Sequence, residues 1–340
     1  MKQIIPFFLI MFLVSGVFAD VGTLTVTNVD SEAGTGITLV DYEFSGPDGP
    51  YDISAEVNFG DGEGFLPISN ADIDVNHTNV EPGIHSFTWD GGISFPDRYH
   101  ENTVLELTAT QVCGENASVT FTYNGEEVTY GTVWRNGLCW MDRNLGADPL
   151  PFDPSSATGN TDTGLYGDLF QWGRGDDGHQ VVDWTESPPN VTPTTSTLSI
   201  EEDVPGHSDF ITNNTSPHDW RDPQNNNLWQ SVDGINNPCP PGWRVPTEDE
   251  LDAELENWDP ANDEGAFASD LKWPVGGYRR HSNGQLSITG GRIWSSSVDG
   301  GNAVYLLFDS FDNTGMKSLG LRAVVMSVRC VRDIVRTEDE

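Results

Sequence analysis

A chain of 340 residues with 53 acidic against 16 basic side chains carries a formal net charge of −37, and a field of that sign repels nucleic acid and anionic membranes. The only lysines are Lys2, Lys272 and Lys317, and the acidity is spread along the chain, which reads as a solvated surface and not as one binding site. The length allows two or three domains.

The chain opens on Lys2, an apolar run from Ile4 to Val14, and Val17-Phe18-Ala19 before Asp20. These are the charged, apolar and cleavage regions of a secretory signal peptide, expected over residues 1–19. The run is shorter than the ~20 residues of a membrane span. The mature chain is therefore expected to be secreted or held at the cell surface, with no span of its own.

Residues 20–112 read as an all-β unit. Thr23 to Thr27 and Ile37 to Phe44 alternate, and Ile53, Ala55, Val57 and Phe59 fall on one face of a strand of period two. Gly60-Asp61-Gly62 makes a turn; it lacks the oxygen ligands of a calcium loop. Further strands are expected at Gly83 to Trp89 and Thr103 to Thr110. Short strands with this punctuation predict a β-sandwich. Asp52-Ile-Ser-Ala-Glu-Val57, Gly60-Asp-Gly62 and Pro82-Gly-Ile-His-Ser-Phe-Thr-Trp89 resemble the immunoglobulin- or fibronectin-like modules that precede other domains in exported bacterial proteins.

Four cysteines, Cys113, Cys139, Cys239 and Cys330, imply two bridges in an oxidising compartment, with three pairings open. We expect Cys113–Cys139 and Cys239–Cys330; the second closes a long loop, worth roughly 4–5 kcal/mol in the chain-entropy model. No C-x-x-C pair and no His at ligand spacing from a Cys supports a metal site instead.

A second unit is expected over 113–333. Ser118 to Tyr123, Glu127 to Trp134 and Gly137 to Met141 read as strands joined at Asn124-Gly125 and Asn136-Gly137, both hairpin turn signals. Residues 146–237 are rich in Gly, Pro, Asn, Asp and Thr, too long for an ordinary loop. Tyr166, Phe170, Trp172, Trp184, Phe210, Trp220 and Trp229 are expected to pin it to a core, at roughly 1.5–3 kcal/mol per buried ring. A helix is predicted from Thr247, with Glu250 completing a capping box, Leu251, Leu255 and Trp258 forming a stripe, and Pro260 as the stop. Ala303 to Phe308 and Leu321 to Val331 read as strands, and 334–340 as a frayed acidic tail.

Tyr130-Gly-Thr-Val133, Cys139-Trp-Met-Asp-Arg-Asn-Leu-Gly-Ala147, Tyr166-Gly-Asp-Leu-Phe-Gln-Trp-Gly-Arg174, Asp177-Gly-His-Gln180, Asn237-Pro-Cys-Pro-Pro-Gly-Trp-Arg-Val-Pro-Thr247, Trp294-Ser-Ser-Ser297 and Ser327-Val-Arg-Cys-Val331 follow in this order. Together they resemble the Fibrobacter succinogenes major paralogous domain family. That family is related to the C-type-lectin-like fold, in the branch that also holds the formylglycine-generating enzyme and variable proteins of diversity-generating retroelements. The resemblance implies an α+β lectin-like domain with a main helix, a small twisted sheet and long ordered loops. It also implies a bridge from the region of the main helix to the last strand, a role that Cys239 and Cys330 fit by position.

No catalytic set stands out. The formylglycine-generating relatives use a cysteine pair near the carboxy-terminal end, where this chain has only Cys330. His179 is read as structural, its ring bonding loop backbone; Asp176-Asp177 and Glu201-Glu202 are read as solvated surface. Asp153, Asn160 and Asp162 form the one candidate set for a structural calcium ion; no other cofactor is expected, and no Glu-Pro-Asn or Gln-Pro-Asp triplet of a lectin sugar site occurs. The candidate ligand-binding residues are Tyr278, Arg279, Arg280, Ser296, Tyr305, Asp309, Phe311 and Asn313, a mixture of rings, guanidiniums and small polar groups like that of adaptable recognition loops. Trp294 is read as core. The expected function is noncovalent recognition of a cell-surface, matrix or glycan ligand by an exported display protein, possible diversification included. The rivals are an oxidase of the formylglycine-generating type and a self-associating surface or matrix protein.

Overall fold

The computed structural model describes residues 23–32, 35–47, 49–69, 72–73, 78–96, 98, 103–147, 162–309 and 314–333. The expected signal peptide, the acidic tail, Asp153, Asn160, Phe311 and Asn313 lie outside them. The chain is mostly β and divides into two compact units, one ending at Ala117 and one spanning Ser118–Asp333. The second therefore starts five residues beyond the boundary at 113 expected from the sequence, because Cys113 to Ala117 turns off the last strand of the first unit.

The first unit contains β1 (Thr23–Ser31), β2 (Ile37–Ser45), β3 (Tyr51–Asn58), β4 (Leu66–Pro67), β5 (Gly83–Asp90), the short α1 (Gly91–Ser94) and β6 (Val104–Gln111). They make two antiparallel three-stranded sheets, ordered β1-β2-β5 and β4-β3-β6. Val40, Tyr42 and Phe44 from one sheet and Tyr51, Ile53, Ala55 and Val57 from the other enter a single core with Phe87, Trp89, Leu105 and Leu107. The alternation in β3 is the sequence pattern made physical: every second residue from Tyr51 is buried. Asp90 caps α1, accepting from the backbone N–H groups of Gly92 and Ile93.

The second unit runs β7 (Ser118–Tyr123), β8 (Glu126–Arg135), β9 (Leu138–Met141), β10 (Phe170–Gln171), β11 (Val182–Asp183), β12 (Asn190–Val191), β13 (Thr194–Thr195), β14 (Ser199–Ile200), β15 (Phe210–Ile211), β16 (Arg221–Asp222), α2 (Glu248–Leu255), α3 (Asp263–Ala268), β17 (Tyr278–Arg279), β18 (Leu286–Ser287), β19 (Gly291–Asp299), β20 (Asn302–Asp309), β21 (Thr314–Gly320), β22 (Val325–Met326) and β23 (Val331–Asp333). Three sheets organise it: β23-β9-β8-β7, β19-β20-β21 and β10-β22-β17-β18. Both predicted hairpins form: Asn124-Gly125 and Asn136-Gly137 all take positive φ, the backbone of a two-residue turn matched to strand twist.

The helix begins where its capping box places it. Thr247 Oγ1 accepts from the Glu250 N–H at 3.4 Å, and Glu250 Oε2 accepts from the Thr247 N–H at 2.7 Å. It ends at Leu255, short of Pro260. Trp258 is nonetheless buried, in a core with Leu251, Trp140, Trp273, Ile293, Leu306 and Phe308, so the apolar stripe survives the loss of helical backbone.

Leu321 to Val331 is not one strand. Its backbone is shared among distant partners: the Arg322 carbonyl accepts from Trp172, the Ala323 N–H donates to His218, the Ser327 carbonyl accepts from Trp294, and the Val328 carbonyl accepts from Leu145. A segment that serves so many separate partners cannot keep one ladder, and only Val325–Met326 and Val331–Asp333 pair as strands. Sequence reading also missed β21, the exposed edge of its sheet.

The segment 162–237 is pinned as its aromatics predict: Tyr166, Phe170, Trp172, Phe210, Trp220 and Trp229 are all buried, while Trp184 packs edge-on against Tyr166. Cys239 and Cys330 are bridged. Cys113 and Cys139 are disulfide-bonded as well, and no cysteine is free. The Cys239–Cys330 link closes a loop of 91 residues. Replacing both cysteines with alanine should lower the unfolding free energy by roughly 4–5 kcal/mol, read from urea midpoints at fixed slope; a loss below about 1 kcal/mol would show that packing alone holds the last strand.

Candidate functional site

The candidate surface is built on the β17–β18 hairpin. Tyr278 pairs with Ser287 and Arg279 with Leu286. The ladder continues beyond the strands, since the Arg280 N–H donates to Gln285 O and the Gly284 N–H to Arg280 O, both at 2.9 Å. Gly284 closes the turn at φ +68°, where an added Cβ would meet the Thr194 side chain. Period two then puts Tyr278 and Arg280 on one side of the hairpin and Arg279 on the other.

Arg279 points inward. It is 3% exposed, its Nε donates to Gly284 O at 2.6 Å, and Nη1 and Nη2 donate to Thr192 Oγ1 and Thr192 O at 3.0 and 2.6 Å. Its guanidinium lies 4.3 Å from the Phe210 ring centre. Burial lowers its pKa to about 10, which leaves it charged at neutral pH. The expectation that Arg279 faces ligand is thus corrected: it anchors the hairpin. Ser296 is corrected likewise. It is buried, and its hydroxyl donates to Pro246 O at 3.3 Å, tying β19 to the segment before α2.

Arg280 is exposed, and none of its side-chain donors has a partner among the described residues. Tyr278 is half-buried, and the Arg292 guanidinium of β19 lies 4.2 Å from its ring centre. Arg292 also donates to Thr289 O. No carboxylate among the described residues forms an ion pair with Arg280 or Arg292. Ser287, the register partner of Tyr278, has its Oγ 3.4 Å from Thr289 Oγ1. Arg292, Ser287 and Thr289 escaped sequence reading, because the stack joins two sheets and no spacing announces it.

Tyr305 and Asp309 are half-buried on the face of β20 that Arg292 shares on β19, as the pairing of Arg292 with Leu307 and of Trp294 with Tyr305 requires. The Tyr305 ring is 5.7 Å edge-on from Trp294, and the residue borders a shallow depression with Glu248, Asp252 and Lys317. Lys317 Nζ there pairs with Asp252 at 2.9 Å. Trp294 itself is core, fully buried with Nε1 donating to Phe170 O at 2.8 Å.

Beneath the hairpin lies a buried polar cluster. His179 Nε2 accepts from the Gln171 N–H at 2.9 Å, and Nδ1 lies 2.7 Å from Asp177 Oδ1. His179 thus bonds backbone, as the sequence reading holds. Asp177 is not the solvated group expected: it also accepts from Arg174 Nε at 2.7 Å. Nearby, Asp168 accepts from Tyr123 Oη at 2.8 Å, Asn124 Nδ2 at 3.2 Å and the Val182 N–H at 3.0 Å. Asp162, the one described member of the calcium set, caps a short turn by accepting from the Gly164 N–H at 3.2 Å. Among the described residues no three His, Cys, Asp or Glu side chains form a group able to hold a metal ion, and no helix is long and apolar enough to cross a membrane.

Burial pushes His179 down from 6.5 to about 4 and Asp168 up from 3.8 to about 6. The signs oppose. The depressed His179 contributes stability that is present above pH 6.5 and lost as pH falls to 4, about 3 kcal/mol for that shift. The raised Asp168 contributes stability that is present below pH 3.8 and lost as pH rises through 6, of similar size. The pair should therefore nearly cancel. Asp168→Asn should make unfolding free energy fall by about 3 kcal/mol between pH 6.5 and 4 relative to wild type. His179→Gln should make it rise over the same window; parallel pH profiles for all three proteins would refute the assignment.

No family model matches the chain, and neither a curated protein nor a solved structure matches it.

Proposed function

We propose that this chain is an exported recognition protein. Its second unit is a C-type-lectin-like domain of the major paralogous type, presenting side chains to a ligand on a cell, a matrix or a glycan. The first unit is an immunoglobulin- or fibronectin-like module serving as spacer or docking element. Binding is noncovalent and needs no cofactor. The observation that carries this reading is the Tyr278–Arg292 stack, with Arg280 exposed on the same side of the hairpin and without a side-chain partner among the described residues, on a hairpin whose inward side is locked by Arg279. A rigid frame under adaptable polar and aromatic groups lowers the entropic cost of binding. The oxidase alternative needs a reactive thiolate, and every cysteine here is bridged.

The test is an array of glycans and matrix proteins probed with the full exported chain. The wild type should retain at least one immobilised ligand. Tyr278→Ala, at a half-buried position, should bind that ligand at least tenfold more weakly while keeping its circular dichroism. A wild type that retains nothing, or a variant that binds equally well, refutes the proposal.

A further inference from the structure

We infer that the Tyr278 face binds a short acidic saccharide through its carboxylate, a step that rests on the recognition reading above and specifies its ligand. The charge distribution is the first ground. At neutral pH the chain carries −37, and most described cations are committed elsewhere. Arg143, Arg174, Arg279, Arg322 and Arg329 are buried; Arg98, Arg135, Arg221, Arg244 and Lys317 are ion-paired. Among the described residues Lys272, Arg280 and Arg292 are neither; Lys272 donates to Ala268 O beside Phe267, whereas Arg292 lies over the Tyr278 ring and Arg280 follows Tyr278 on the same side of the hairpin.

Stacking is the second ground. A guanidinium laid over an aromatic ring uses its π face and leaves its in-plane N–H edge pointing outward. Arg292 spends one such donor on Thr289 O and keeps others. Arg280 spends none on a described residue. A carboxylate accepts paired N–H donors in one plane, and Arg292 over the Tyr278 ring and Arg280 two residues along the same side of the hairpin each offer such an edge.

The surroundings narrow the ligand. Ser287, Thr289 and the Tyr278 hydroxyl offer groups that both donate and accept, as sugar hydroxyls require. The long-range field of the chain repels a polyanion, so a long acidic polymer pays that repulsion over its whole length. A mono- or disaccharide with one or two carboxylates meets the two arginines and little else.

The experiment titrates the full chain calorimetrically with digalacturonate, its methyl ester, a sulfated disaccharide and an acidic hexapeptide, at pH 7 in 50 and 300 mM salt. Digalacturonate should bind, at least tenfold more tightly than the ester. Arg280→Gln and Arg292→Gln should each weaken it at least tenfold with circular dichroism unchanged. Raising salt should not weaken wild-type binding as steeply as two unopposed contacts would, since screening also relieves the field of the chain. Equal binding of acid and ester, unchanged binding in both variants, or no binding of digalacturonate overturns the inference. Tighter binding of the sulfated sugar overturns the carboxylate assignment, and tighter binding of the peptide overturns the saccharide assignment. A neutral glycan bound on the array with no response to digalacturonate removes this inference and leaves the recognition reading intact.

Discussion

The second unit depends on guanidiniums that have left water. A chain with long stretches of irregular backbone must satisfy carbonyl groups that no ladder reaches. Arginine supplies five donors in a fixed fork, and here it is aimed inward. Arg174 donates to His207 O and Asp209 O, Arg279 to Gly284 O and Thr192 O, Arg322 to Asn225 O, and Arg329 to Leu271 O and the Asn144 side chain. Several also lie over rings: Arg329 is 4.1 Å from the Trp273 centre and Arg322 is 4.6 Å from that of Trp172. The stack satisfies the π face and the fork satisfies the loop. Truncating such a residue strands both the carbonyls and the space it filled, which is why one side chain can hold loops far apart in sequence.

Amide side chains extend the same logic. Gln171 Nε2 donates to Ile211 O and Ala323 O, each at 2.9 Å, while its Oε1 accepts from Arg174 and from the Ile211 N–H. One glutamine therefore registers three separate segments. The outcome is a loop-rich unit with a stiff interior, so that the outward side chains of the hairpin stand on fixed backbone. Position, and not loop mobility, decides what Tyr278 and Arg280 can meet.

Much of this was legible in the residue order and some was not. Local signals transferred well: Asn-Gly turns, the Thr247–Glu250 capping box, and the alternation of Ile53, Ala55 and Val57 each depend on a few neighbouring residues. Aromatics in the segment after residue 162 were legible as anchors because burying a ring is favourable wherever it lands. The outward or inward sense of Arg279 and Arg280 was not legible, because it depends on where Phe210 and Thr192 arrive in space. Ser296 was misread for the same reason: its small polar side chain looks adaptable until Pro246 O is seen against it. The last apolar run looked like one strand because periodicity cannot reveal that its backbone is divided among partners far apart in the chain.

The inward commitment of arginine changes what the outside of the molecule presents to its neighbours. At least six of the 16 basic side chains are buried, whereas most acidic residues remain in water. Two copies approaching in solution therefore meet almost unmixed negative charge. Exposed strand margins such as β21, with Met316 and Leu319 uncovered, would otherwise invite sheet-to-sheet adhesion. The same economy that ties the interior together gives the chain a colloidal guard, strongest in dilute electrolyte and thinning as ionic strength rises.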